Sequence, residues 1–281
     1  MSLRIEMAIE YARRGGQALT GDLYAPADGA PYPILVAAHG GAWRTGSAAR
    51  YRHWGRWLAA RGIGLFAINY RLVAERRNLF PASLMDLRAA LAFVRGEAGR
   101  LGADPGRIGL MGDSAGAHLA ALAALSEGRE RFALEPVPGL EPGPAPLAAA
   151  VRLVVGVYGV YDLPAQWQHD LAVRPADSIT EALLGASPLD DRFPFLAASP
   201  IAYASRDRRI PFLLAWGTGD TVADPATQSA AFARALVQCG APVRTVVIPE
   251  APHFWIDEPI EPPSHTHLLA PRLLRFAEEH L

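Results

Sequence analysis

With 281 residues, 51% of them hydrophobic, the chain is long enough to bury a sizeable core, and single α/β domains of this length are common. A formal net charge of −1 offers no electrostatic footing for nucleic acid or an anionic membrane. All 27 basic residues are arginine, which excludes lysine-based Schiff-base or general-base chemistry, and the single cysteine, Cys239, excludes an internal disulfide or a cysteine metal cluster.

The opening MSLRIEMAIE alternates and carries charge early, without an apolar core of signal-peptide length. No run approaches the roughly 18 apolar residues of a membrane span. A soluble, cytoplasmic protein with no membrane or nucleic-acid partner is expected. RIEMAIEYA and QALTGDLYAP read as two strands joined through Arg13–Gly16, an antiparallel hairpin at a sheet edge. YPILVAAHG and GIGLFAINY read as buried strands, with a helix in YRHWGRWLAARG that Gly62 stops. PASLMDLRAALAFVRGEAGRLG reads as one amphipathic helix, with Leu84, Leu87, Leu91 and Val94 on one face. DPGRIGLMG is a turn and strand, followed by a helix to about Ser126, and residues 128–149 read as an exposed loop rich in Pro, Gly and Glu. The sheet resumes in AAAVRLVVGVYGVYD. Residues 162–205 then break the rhythm with prolines, aromatics and two short helical patches, an insertion expected to form a small cap. RRIPFLLAWGTGD and APVRTVVIPEAPH are the last strands, separated by the helix DPATQSAAFARALVQCG, where Cys239 reads as a buried structural thiol. The final helix begins near Ser264 with a kink at Pro271. Strands alternating with helices predict a single α/β domain, 1–281, with a mostly parallel sheet.

Within GLMGDSAGAH, Gly112-Asp113-Ser114-Ala115-Gly116 fits G-x-S-x-G, a serine presented on a tight turn between strand and helix. The pentapeptide alone is a weak signal in a chain so rich in Gly, Ala and Ser. A serine hydroxyl is a poor nucleophile without a base, so the motif demands an acid and then a histidine downstream. His253, in the loop after the last strand, is the expected base; His265, His267, His169 and His118 are read as exposed, cap or packed histidines. Asp220, at the end of LLAWGTGD, is the expected acid, with Asp224 a distant second and Asp257 out of chain order. VAAHGGAW fits the loop that supplies oxyanion donors, because Gly40 and Gly41 let the backbone turn its amides inward.

HGGAW, NYRL, FPASLMDLRAALAFVR, DPGRIGLMGDSAGAHLAALAAL, GTGD and PHFW together resemble the α/β-hydrolase superfamily. The likeness is to the hormone-sensitive-lipase-like esterases, the feruloyl and acetylxylan esterase-like proteins and the kynurenine formamidases. It runs from about residue 17 to the C-terminus in the family's own order. It implies an α/β-hydrolase fold with an eight-stranded sheet and helices on both faces. The implied triad is Ser114, Asp220 and His253, and the implied oxyanion donors are the amides of Gly41, Ala42 and Ala115. Many hormone-sensitive-lipase-like members read HGGG; here Ala42 and Trp43 follow the two glycines, and a backbone N–H survives the change. HGGAW and GAHLA stand closer to the feruloyl-esterase-like and formamidase branch.

The implied reaction is acyl transfer to water through an acyl-enzyme, with no metal or organic cofactor and a small-molecule ester or amide as substrate. A carboxylesterase on small or aromatic esters is the leading expectation. An arylformamidase is the alternative, and a non-catalytic ligand-binding hydrolase fold is the rival from another class. Trp43, Trp167, Phe193, Phe254 and Trp255 lie in loops that could wall the pocket and favour an apolar or aromatic group, with ordinary packing the preferred reading for any single one. Arg44 and Arg71 could meet an acidic substrate, against a role as solvated loop arginines. The residues leave the oligomeric state open, a homodimer included.

Overall fold

The computed structural model describes residues 2–126, 128–129 and 151–281. The stretch read as an exposed loop, 128–149, lies beyond its first two residues outside the described residues. Among the described residues eight strands form one sheet in the order β1-β2-β4-β3-β5-β6-β7-β8. β1 (Leu3–Arg14) and β2 (Gln17–Pro26) make the expected antiparallel hairpin, and β2 pairs antiparallel with β4 (Gly64–Ile68). From β4 onward every pairing is parallel, through β3 (Tyr32–Ala38), β5 (Ala103–Asp113), β6 (Val151–Val157), β7 (Phe212–Gly217) and β8 (Val243–Ile248). Parallel strands covered on both faces read as unbroken apolar runs, and residues 34–38 and 64–68 are buried throughout.

Two cores flank the sheet. One gathers Phe66, Leu84, Leu87, Leu91, Leu119 and Phe232 under α2 (Ala82–Gly96), α4 (Ala115–Ser126) and α8 (Ser229–Gln238). The other gathers Trp54, Leu58, Trp255, Leu269 and Phe276 under α1 (Arg52–Ala59) and α9 (His265–His280). α4 is buried along its whole length, which its uncharged Ala/Leu sequence permits.

Some expectations need refinement. The helix read over 81–102 is divided into α2 and a short α3 (Ala98–Leu101), because Glu97 between them leaves the helical region at φ −98°, ψ 13°. Residues 162–205 hold three α-helices rather than two short helical patches: α5 (Leu163–Val173), capped by Asp162; α6 (Ile179–Leu184), capped by Ser178; and α7 (Phe193–Ala197), with a 3-10 turn at Pro200–Tyr203. Cys239 ends α8 half-buried rather than buried. α9 runs through Pro271, and Ser264 accepts from the His267 amide at its start. No helix among the described residues is long and apolar enough to cross a membrane.

Candidate active site

The parallel order brings the C-terminal ends of β3, β5, β7 and β8 to one edge, where ligands bind in open α/β sheets. β5 ends at Asp113 and α4 begins at Ala115, so one residue turns the chain. Ser114 makes that turn at φ +50°, a strained conformation for a side-chain-bearing residue. Its N–H donates to Val157 O at 2.8 Å and its carbonyl accepts from the His118 amide at 3.1 Å. The turn is so tight that a Cβ on Gly112 would stand 2.2 Å from the Gly116 backbone, and one on Gly116 would stand 1.9 Å from Ala38 O. This close approach is the reason for both glycines of the motif.

Ser114 Oγ lies 3.0 Å from His253 Nε2, and His253 Nδ1 lies 2.6 Å from Asp220 Oδ2. The carboxylate can only accept, so Nδ1 carries the proton and the Nε2 lone pair faces the serine hydroxyl. Asp220 is itself fixed, because its Oδ1 accepts from the Val222 and Ala223 amides at 2.9 and 3.0 Å. The imidazole sits between Tyr158 and Phe254, with both ring centroids 4.4 Å away. Asp224 instead accepts from Thr227 and closes a local turn, and Asp257 lies 3.8 Å from Arg50.

After β3 the chain takes three successive positive-φ residues: Gly41 (122°), Ala42 (51°) and Trp43 (59°). The Arg44 and Thr45 amides close this turn on Gly41 O, each at 3.0 Å. Among the described residues the N–H groups of Gly41 and Ala42 have no protein acceptor. Ala115, as the first residue of α4, carries one of the free donors of a helix start.

Asp113 occupies a variable position of the G-x-S-x-G motif, which by itself assigns it no role. Its carboxylate is fully buried and accepts from the Gly40 amide at 2.9 Å and the Tyr51 hydroxyl at 3.0 Å, with Tyr158 Oη at 3.4 Å. It thus bolts the glycine loop to the strand that carries Ser114. Burial raises its pKa, opposed by the charge of Arg50 and by these hydrogen bonds. An acid that closes the buried run 108–113 of β5, directly before the serine, is the available signal.

The aromatics expected to wall the pocket stand in different environments. Trp43 and Trp255 turn no surface to solvent, because both are packed in the cores; Trp43 Nε1 donates to His118 Nδ1 at 3.2 Å. Trp167 is half-buried and donates to Glu181 Oε1 at 2.8 Å. Phe254 is 51% exposed and stands edge-on to His253, and Phe193 is exposed on α7. Arg44 and Arg71 are already paired, Arg44 with Asp177 and Arg71 with the buried Asp86, each in two-pronged contact. Among the described residues no three His, Cys, Asp or Glu side chains group as metal ligands.

Two further histidines support the site from below. His118 accepts from Trp43, so it carries its proton on Nε2 and donates to Ala198 O at 2.8 Å. His39 stacks on Tyr70 at 4.3 Å and donates through Nδ1 to Gly40 O. Burial lowers the pKa of each to about 4. An unfolded imidazole titrates near pH 6.5, so between pH 6.5 and 4 the unfolded chain binds protons that the folded chain refuses. Stability therefore falls as pH drops through that window, by up to about 3 kcal/mol per histidine. The raised carboxyl of Asp113 offsets part of it. Urea midpoints measured at several pH values should fall across this window, and fall less in His118→Phe; a flat profile would contradict the assignment.

Comparison with known proteins agrees with this architecture. Esterase LipQ of Mycobacterium tuberculosis is 33% identical over 246 residues, covering 86% of this chain and 55% of its own length. The probable carboxylic ester hydrolase LipM of the same organism is 33% identical over 207 residues, 73% of this chain and 45% of its own. The chain thus spans about half the length of these curated relatives. Esterase Est2 of Thermogutta terrifontis superposes with a TM-score of 0.72 at 24% identity, over 97% of this chain and 90% of that one, a likeness of fold. A bifunctional GH43-CE protein of Bacteroides eggerthii gives 0.79 at 26% identity, over 98% of this chain and 38% of that one. Matched over residues 21–236, a stretch that holds Gly41, Ser114 and Asp220, the chain belongs to the BD-FAE family and has the α/β-hydrolase fold.

Proposed function

We propose that this chain is a serine carboxylesterase that cleaves small or aromatic esters through an acyl-enzyme. The observation that carries the reading is the hydrogen-bonded line Ser114–His253–Asp220, with contacts of 3.0 and 2.6 Å at the sheet edge. His253 Nε2 takes the hydroxyl proton as Ser114 Oγ attacks the ester carbonyl, and Asp220 stabilises the imidazolium that forms. The amides of Gly41, Ala42 and Ala115 receive the oxyanion, and removing one such donor typically costs about 10²–10³ in rate. His253 then protonates the leaving oxygen, and water enters along the same path to release the acid. The esterase names of the relatives support the ester as substrate. The segment of α5, α6 and α7, between β6 and β7, serves as a small cap over this edge.

A fluorophosphonate probe tests the reading directly, with hydrolysis of p-nitrophenyl acetate, butyrate and octanoate and of an N-formyl arylamine alongside. Labelling confined to Ser114, with ester turnover, is the expected result. Labelling with much faster formamide cleavage would replace the esterase by a formamidase. Folded protein that neither labels nor turns over would leave a ligand-binding hydrolase fold.

A further inference from the structure

Arg50 stands in the helical turn 48–51 that precedes α1, with its side chain 22% exposed. Its guanidinium carbon lies 6.0 Å from the centre of the Phe254 ring, and that ring stands edge-on to the imidazole of His253. The carboxylate of Asp257 stands 3.8 Å from Nε, an ion pair too long for a hydrogen bond. Among the described residues the two terminal nitrogens of Arg50 have no hydrogen-bond acceptor. In this Arg50 differs from Arg44 and Arg71, each locked to a carboxylate by two short contacts. Burial raises the pKa values of Asp113, Tyr51, Tyr70 and Tyr158 behind the elbow, and the charge of Arg50 opposes that rise at each of them. Phe254 is unusual too, since it holds φ +66° and yet is half exposed to solvent. Strain at an exposed aromatic beside a reactive histidine is the kind of feature a binding role sustains.

We propose that Arg50 and Phe254 form a subsite for the alcohol portion of the ester, one that takes a carboxylate carried on an aromatic or apolar frame. The inference rests on the serine-esterase reading. His253 hands its proton to the leaving oxygen, so the alcohol departs on the imidazole side, where Phe254 stands. A ring in that position packs on Phe254, and a carboxylate a few bonds farther out meets the free N–H groups of Arg50. The charge-assisted contact selects monoesters that are anionic at neutral pH.

The test compares 3-acetoxybenzoate with 3-acetoxybenzamide, which share acyl group and ring and differ in charge. Native enzyme should favour the anion by about tenfold in kcat/KM, mainly through KM, and the preference should shrink as salt rises to about 0.5 M. In Arg50→Gln the anion-to-amide ratio should fall to about one. Equal kcat/KM for the two esters, or a ratio unchanged in Arg50→Gln, would overturn the subsite and leave the esterase reading standing. Should the variant fail to fold, the salt dependence of the native ratio decides by itself, and a salt-independent preference counts against Arg50. Failure to hydrolyse either ester, with Ser114 unlabelled by fluorophosphonate, would overturn the esterase reading and this inference together.

Discussion

Replacing Ser114 by alanine should lower kcat for ester hydrolysis by about 10⁴–10⁶ while leaving the protein folded. The substitution deletes one atom, Oγ, which hydrogen-bonds His253 Nε2 at 3.0 Å. It keeps the Cβ, so the demands of the φ +50° turn are unchanged, and the Gly112 and Gly116 contacts that shape the turn are untouched. Residual turnover would come from the oxyanion donors and from substrate binding. Because the three residues act as one device, Ser114→Ala combined with His253→Ala should cost little more than Ser114→Ala alone. Steady-state kinetics with a thermal melt on the same preparation provide the check. A variant that keeps a tenth of the native kcat would remove Ser114 from the reaction.

Gly116→Ala should have the largest effect on stability, about 4 kcal/mol or more, with little soluble protein recovered. The new Cβ would lie 1.9 Å from Ala38 O, 2.5 Å from Ala38 C and 2.8 Å from His39 O. All three atoms are backbone, so no side-chain rotation relieves the clash; α4 must lift off the sheet or β3 must bend. α4 is buried on every side and cannot lift without opening the core. Any folded fraction should also lose activity, since Ala38 and His39 lead straight into the Gly41–Trp43 turn. Gly96→Ala supplies the contrast: at the exposed end of α2 nothing lies within 4 Å of the added methyl, and a gain of about 0.5–1 kcal/mol is expected there. Urea denaturation of the two variants distinguishes local helix propensity from the backbone contact. Near-native stability of Gly116→Ala would mean that helix and strand do not approach as closely as described.

Much of this protein is legible along the chain because it is written in local patterns. Alternating apolar strands and amphipathic helices set the order of elements, and the hairpin of β1 and β2 is a local event with a local signature. The Ser114 turn is local too, for strand, elbow and helix are contiguous and the two glycines mark where backbones must touch. Chain order then singled out Asp220 and His253, since loops that follow parallel strands share one edge of the sheet.

Other decisions belong to contacts between residues far apart in sequence. Trp43 and Phe254 look alike as aromatics in loops near reactive residues, yet one is sealed in the core on His118 and the other lies half in solvent. Asp113 gained its role from Gly40 and Tyr51, each on a different stretch of chain. Arg71 was cancelled by the buried Asp86, while Arg50, which nothing in its neighbourhood distinguishes, was brought beside Phe254 with its terminal nitrogens free of protein acceptors among the described residues. The sequence by itself determined the order of the elements along the chain and pointed to Ser114, Asp220 and His253 as the proposed triad, because periodicity and turn chemistry act over a few residues. Only the tertiary structure decided which aromatic faces solvent, which charge is spent and which is available, because burial and ion pairing depend on what the folded chain places alongside.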